Sequence, residues 1–169
     1  TRLDAEDSKV LDFAAAQPQE TLFATWPSGQ SEFEFIPYFA QRPLFVMIKA
    51  HYPSHVDHVL EMRERTGALI DAYLATETAP LEALYCLWQV DYLIVDKAHF
   101  GAEAEAPRYF APFDVQIEVK WQQGRARGFL LGEPMPAAVA LETEHYRVIG
   151  LRAIVESVQG SAATDCRST

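Results

Sequence analysis

Basic residues are scarce in this chain: fourteen Lys and Arg stand against twenty-four Asp and Glu, a formal charge of -10. Such an acidic surface repels the phosphates of a nucleic acid and the headgroups of an anionic bilayer, so nucleic acid is excluded as an expected partner. Long apolar runs are also missing. No stretch approaches the ~20 apolar residues of a membrane span, and the best runs are broken at Pro43, Asp91, Asp96 or Lys97. Cysteine is limited to Cys86 and Cys166. These are expected to form neither a metal motif nor a disulfide framework, and they leave the redox compartment open. No GxGxxG or P-loop follows a strand-like run, which removes the commonest nucleotide fingerprints. HExxH and the nucleophile elbow GxSxG are absent too. The chain opens at Thr1 without an initiator Met or a charged-then-apolar leader. It therefore reads as a piece of a longer protein, and any targeting segment would lie upstream.

What is present suits a folded domain. The 169 residues are 49% hydrophobic, 12% aromatic and 22% charged, enough to bury roughly two-thirds of the unfolded surface in one core. The expected organisation is one α/β domain over residues 1–158 and a flexible polar tail over 159–169. Asp7 to Ala16 puts Val10, Leu11, Ala14 and Ala15 on one helical face, and Pro18 ends it. Thr21 to Trp26 reads as a first strand closed by Pro27, Ser28 and Gly29. After a short amphipathic segment, Glu32 to Gln41, the apolar run Pro43 to Ile48 reads as a second strand, buried on both faces. A long helix follows from an N-cap at Ser54, and a second from Thr78 with Pro80 in its first turn. Val90 to Val95 is the third strand. About forty residues of helix separate the second and third strands, which predicts a parallel pair joined by a crossover.

Gly101 to Pro107 reads as an acidic loop, Tyr109 to Gln123 as a helix in preference to a strand, and Gly128 to Leu131 as a short strand. Ala137 to Leu141 and His145 to Leu151 form a hairpin turning at Glu142 to Glu144. The expected fold is a Rossmann-like three-layer sandwich with a mainly parallel sheet and a C-terminal antiparallel hairpin.

Open parallel sheets bind ligands beyond the carboxyl ends of their strands. Those ends carry Trp26, Ser28 and Gln30 after the first strand; Lys49, His51, Tyr52 and His55 after the second; and Asp96, Lys97 and His99 after the third. Convergence of His51, His55, Asp96 and His99 would suit a divalent metal. Pro53 separates His51 from His55, however, so the two do not share a helical face, and local hydrogen bonding is the favoured reading. No metal and no cofactor is assigned. A triad of Ser28, His55 and Asp96 lacks the strained elbow. The acidic pairs Glu32 with Glu34 and Glu103 with Glu105 read as solvated faces rather than acid-base pairs. Trp88, Tyr92, Tyr109, Phe110, Phe113 and Trp121 fall at core-like positions, with a sugar- or lipid-stacking surface as the alternative.

The succession SKVLDFAAAQPQETLFATWP, IPYFAQRPLFVMIKAHYPSH, a long helix ending in AYLAT, and LYCLWQVDYLIVDKAHF resembles the soluble C-terminal domain of bacterial multi-pass GT-C glycosyltransferase-like membrane proteins, including the YfhO-like group. The likeness covers Ser8 to Phe100, with a looser match as far as Leu151. It implies a non-catalytic, water-facing domain on the extracytoplasmic, periplasmic side, attached to its own upstream transmembrane region. The full-length protein would use a polyprenyl-phosphate-sugar donor, and its catalytic acid would lie between membrane helices, outside this chain. The domain would hold or gate substrate, a glycan or lipid-linked sugar, through Trp26, Ser28, Arg42, His51, Tyr52, His55 and Asp96. The oligosaccharyltransferase motif WWDYG is absent, Trp88-Gln89-Val90-Asp91 matching it only superficially. The competing expectation is a free-standing small enzyme or divalent-metal-binding protein that uses the His-rich loops.

Overall fold

The structure is a computed structural model that describes residues 4–28, 32–47, 56–160 and 166–167. Helix α1 (Ala5–Ala16) starts at a reciprocal cap. The Asp4 carboxylate accepts from the amides of Glu6 and Asp7, and the Asp7 carboxylate accepts from the Asp4 amide. The helix therefore begins two residues before the position expected from Asp7.

Strand β1 (Phe23–Thr25) is followed by a 3-10 turn, Glu32–Phe35, and a single turn of helix, α2 (Ile36–Phe39). Next come the long helix α3 (Val56–Tyr73), α4 (Ala79–Cys86) and strand β2 (Tyr92–Asp96). Helix α5 (Phe113–Arg127), the hairpin β3 (Val139–Glu142) and β4 (Tyr146–Gly150), and α6 (Leu151–Gln159) complete the described elements. The expected long helix, the Thr78 helix, the helix after Tyr109 and the hairpin are all present. Ser54, the expected cap of α3, lies outside the described residues.

The described residues form an α/β fold with one four-stranded sheet, ordered β1-β2-β4-β3. It is mixed, not mainly parallel. β1 and β2 are parallel, with Ala24 opposite Leu93, whereas β4 runs antiparallel to both β2 and β3. The hairpin enters beside β2 because Val148 and Ile149 of β4 are fully buried, one on each face, as a central strand requires. β3 alternates half-buried with exposed residues and takes the edge. On one face Phe23, Ile94 and Val148 pack with Val10, Leu11 and Ile36 of α1 and α2. On the other, Ala24, Leu93, Val95 and Ile149 pack with residues of α3, α4, α5 and α6.

Three further expectations are corrected. The run from Pro43 is not a strand beside β2. It makes one parallel bridge, Leu44 to Phe23, on the outer side of β1. There Phe23 N–H donates to Pro43 C=O and Phe45 N–H to Phe23 C=O. Pro43 has no N–H to give, and β1 is only three residues long. The apolarity of the run reflects core packing, since Phe45 and Val46 are buried. The expected strand at Gly128 is a 3-10 turn, Leu130–Gly132, whose Leu131 and neighbouring Phe129 fill the core. The third correction concerns the two cysteines, which form a disulfide, Cys86–Cys166, with Cα atoms 5.3 Å apart. Cys166 and Arg167 are therefore anchored on the fold, within the stretch read as a free tail.

Helix α5 ends at Gly128, whose φ of 92° is left-handed and suits glycine. Inside the same helix Gly124 lies flat against the Phe129 ring, in the space a Cβ would occupy. Phe129 is itself wedged between Trp121 and Phe100, at centroid distances of 4.8 and 5.3 Å. Gly124→Ala is expected to destabilise the fold by about 2 kcal/mol, because overpacking outweighs the gain in helix propensity. Urea denaturation measures it, and an unchanged midpoint would contradict this packing.

Candidate functional site

A cavity of about 230 Å³ opens where β1 and β2 end and the antiparallel β4 begins. Trp26 and Ser28 reach it from the chain leaving β1, and Asp96 from the last position of β2. The sheet register sets Tyr146 of β4 directly opposite Asp96. Asp7 of α1 and Phe33 of the first 3-10 turn close one side, and Tyr73 and His99 the other.

Tyr73 organises this end of the sheet. It is fully buried, with its ring 5.1 Å from that of Trp26 and 5.4 Å from that of Phe100. Its hydroxyl oxygen accepts the Asp96 amide at 3.1 Å and lies 2.9 Å from His99 Nδ1. The direction of the Tyr73–His99 bond follows the His99 tautomer, and a hydroxyl that donates to Nδ1 leaves the neutral ring protonated on Nε2. That nitrogen is 4.0 Å from Asp96 Oδ2. Asp96 Oδ1 accepts from Ala98 N–H and caps the 3-10 turn Lys97–Phe100 that carries His99. Burial drives the Tyr73 hydroxyl far above its ordinary range.

Burial also lowers the His99 pKa, and the neighbouring Asp96 carboxylate only partly opposes it. The unfolded chain thus binds a proton at His99 at higher pH than the folded chain does. The stability from the neutral ring is complete above pH 6.5 and declines as pH falls from there through the lower folded value. Imidazole NMR titration should place the His99 midpoint below 6.5, and a midpoint above 6.5 would contradict this geometry. Burial, followed by the carboxylates of Asp7, Asp96 and Asp4, pushes Tyr146 up to about 12.

The candidates from sequence are thus divided. Trp26, Ser28 and Asp96 line one cleft. Arg42 does not reach it. Its guanidinium donates to the carbonyls of Ala15 and Gln17 at the end of α1 and to that of Ala40, supplying the positive charge a helix C-terminus favours. His51, Tyr52 and His55 lie outside the described residues, so neither the four-residue metal set nor the Ser28-His55-Asp96 triad is assembled among those described. Among the described residues no group of three or more His, Cys, Asp or Glu could hold a metal ion. Asp7, Phe33, Tyr73 and Tyr146 were not singled out from sequence as site residues. One hint existed, a tyrosine closing the apolar stripe Leu69, Ile70, Tyr73 of a buried helix face. A buried hydroxyl needs a partner.

No helix among the described residues is long and apolar enough to cross a membrane. No protein family and no curated protein matches the chain. Among solved structures, the chain is similar to the C-terminal globular domain of an oligosaccharyltransferase from Archaeoglobus fulgidus, with a TM-score of 0.52 and 11% identity. The match covers 89% of this chain and 99% of that one. At that identity the likeness is one of fold: an oligosaccharyltransferase carries a globular domain folded in this way.

Proposed function

We propose that this chain is the water-facing domain of a membrane-embedded glycosyltransferase-like protein, and that its strand-end cleft contacts substrate without performing the transfer. One observation carries the reading. The fold is shared, over nearly the whole of both chains, with a globular domain of an enzyme that transfers oligosaccharide. The order of sequence motifs points independently to the same kind of protein. WWDYG is absent from these 169 residues, so the proposal rests on fold and motif order and on no acceptor motif. The Cys86–Cys166 disulfide supports an extracytoplasmic location, since disulfides persist in oxidising compartments.

The proposed surface comprises Trp26, Ser28, Asp96, His99 and Tyr146. His51, Tyr52 and His55 lie outside the described residues and are proposed as part of the substrate-contacting surface on the sequence resemblance alone. Arg42 is assigned to holding the end of α1. The coding sequence upstream of Thr1 tests the attachment: several apolar spans of about 20 residues are expected. A start codon followed by a short soluble leader would overturn it and favour a free-standing protein.

A further inference from the structure

We infer that the strand-end cleft selects a small organic cation, an amine-bearing molecule about the size of a single sugar ring. The inference rests on the reading above only in taking this cleft as the functional one. Both charged groups among its described lining residues, Asp7 and Asp96, are acidic. Lys97, next to Asp96 in sequence, turns away to the Thr143 carbonyl at 2.6 Å and to Glu142 at 2.8 Å. The hydrogen bonds of the two carboxylates come from neutral donors. Asp7 accepts from the Asp4 amide, and Asp96 from the Ala98 amide.

His99 faces Asp96 but does not offset this charge, because burial favours its neutral form. The walls are aromatic: Trp26, Phe33 and Tyr146. Aromatic faces attract cations through the ring quadrupole, most strongly where water is excluded. The carboxylate field converges, since Asp4, Asp7 and Asp96 all act on the one hydroxyl of Tyr146. A phosphate or carboxylate ligand would meet repulsion from both of these carboxylates. The volume, about 230 Å³, lies below the range of drug-sized sites and suits a ligand of one ring.

Titration of the 169-residue chain with glucosamine, glucose and glucose 6-phosphate, probes matched in shape and different in charge, tests the inference by amide NMR. Glucosamine is expected to shift Trp26, Asp96 and Tyr146 saturably and to bind at least about tenfold more tightly than glucose. Glucose 6-phosphate is expected to shift none of them. Asp96→Asn keeps the oxygen that caps the 3-10 turn, and should weaken glucosamine about tenfold without changing glucose. Asp7→Asn gives a second charge-neutral variant, and the melting temperature of each checks its fold. Equal affinity for glucosamine and glucose would overturn the cation selectivity and leave the cleft as a sugar-contacting surface. Preference for the phosphate, or no binding by any probe, would overturn the proposal. The upstream coding sequence tests attachment to a membrane transferase separately.

Discussion

Replacing both cysteines, Cys86→Ala with Cys166→Ala, is expected to lower the melting temperature by roughly 10–15 °C. The bridge closes a separation of 80 residues. In the chain-entropy description, opening a loop of that length returns about 4.5 kcal/mol to the unfolded state. Reduction releases more than a crosslink. Arg167, next to Cys166, donates to the carbonyls of Tyr85 and Val90 and to Asp91 Oδ1, at 3.1, 3.0 and 2.8 Å. Its guanidinium lies 3.7 Å above the Tyr85 ring. The other Asp91 oxygen accepts the Leu22 amide at 2.8 Å. The end of α4, the approach to β2 and the approach to β1 are thus tied to one C-terminal residue. Calorimetry with and without a thiol reductant measures the effect, and an unchanged transition would show that the bridge does not hold the fold together.

The second large effect is expected at Tyr73. Tyr73→Ala removes a fully buried ring in contact with Trp26 and Phe100, at about 4 kcal/mol. Tyr73→Phe separates the hydroxyl from the ring. It strands the Asp96 amide and His99 Nδ1 without the partner that now joins them, at about 2 kcal/mol. The two variants should differ in a second way. In Tyr73→Phe the sheet and Trp26 stay packed while the His99 ring loses its orientation, so the His99 NMR signals should broaden or shift with little change at Trp26. Equal stability of wild type and Tyr73→Phe in urea would contradict the hydrogen-bond chain.

The legible parts of the fold were those in which a local pattern and its burial coincide. Val90 to Val95 could be read as a strand because Leu93, Ile94 and Val95 are buried, with side chains alternating between the two faces. The stripe from Met62 to Tyr73 could be read as a helix for the matching reason at a period of 3.6. Pro43 to Ile48 misled because an apolar run reports burial, not hydrogen bonding. Helix α6 went unread because Leu151 continues the β-like run of β4 without a break. Its own stripe of Leu151, Ile154, Val155 and Val158 has helical spacing and was overlooked behind that run. Neither the strand order nor the disulfide has a local signature, since both depend on residues brought together from far along the chain.

The cleft divides in the same way. Trp26, Ser28 and Asp96 could be found because topology places strand ends together. Asp7 and Tyr146 arrive from a helix start and an antiparallel strand that the expected parallel sheet did not put at that edge. Arg42 follows an apolar turn and resembled a ligand-binding residue, but four backbone carbonyls already occupy its guanidinium.

The most direct test is sugar transfer by the full-length protein in membranes, assayed with a polyprenyl-phosphate-sugar donor. Variants Asp96→Asn and Tyr146→Phe in the cleft would be compared with Arg152→Ala, which is exposed at the opposite end of the sheet beside Glu156. If the domain contacts substrate without carrying the chemistry, the cleft variants should raise KM about tenfold and leave kcat within about twofold, with Arg152→Ala unchanged. Transfer kinetics identical in all three variants and the wild type would contradict a substrate-contacting role for the cleft.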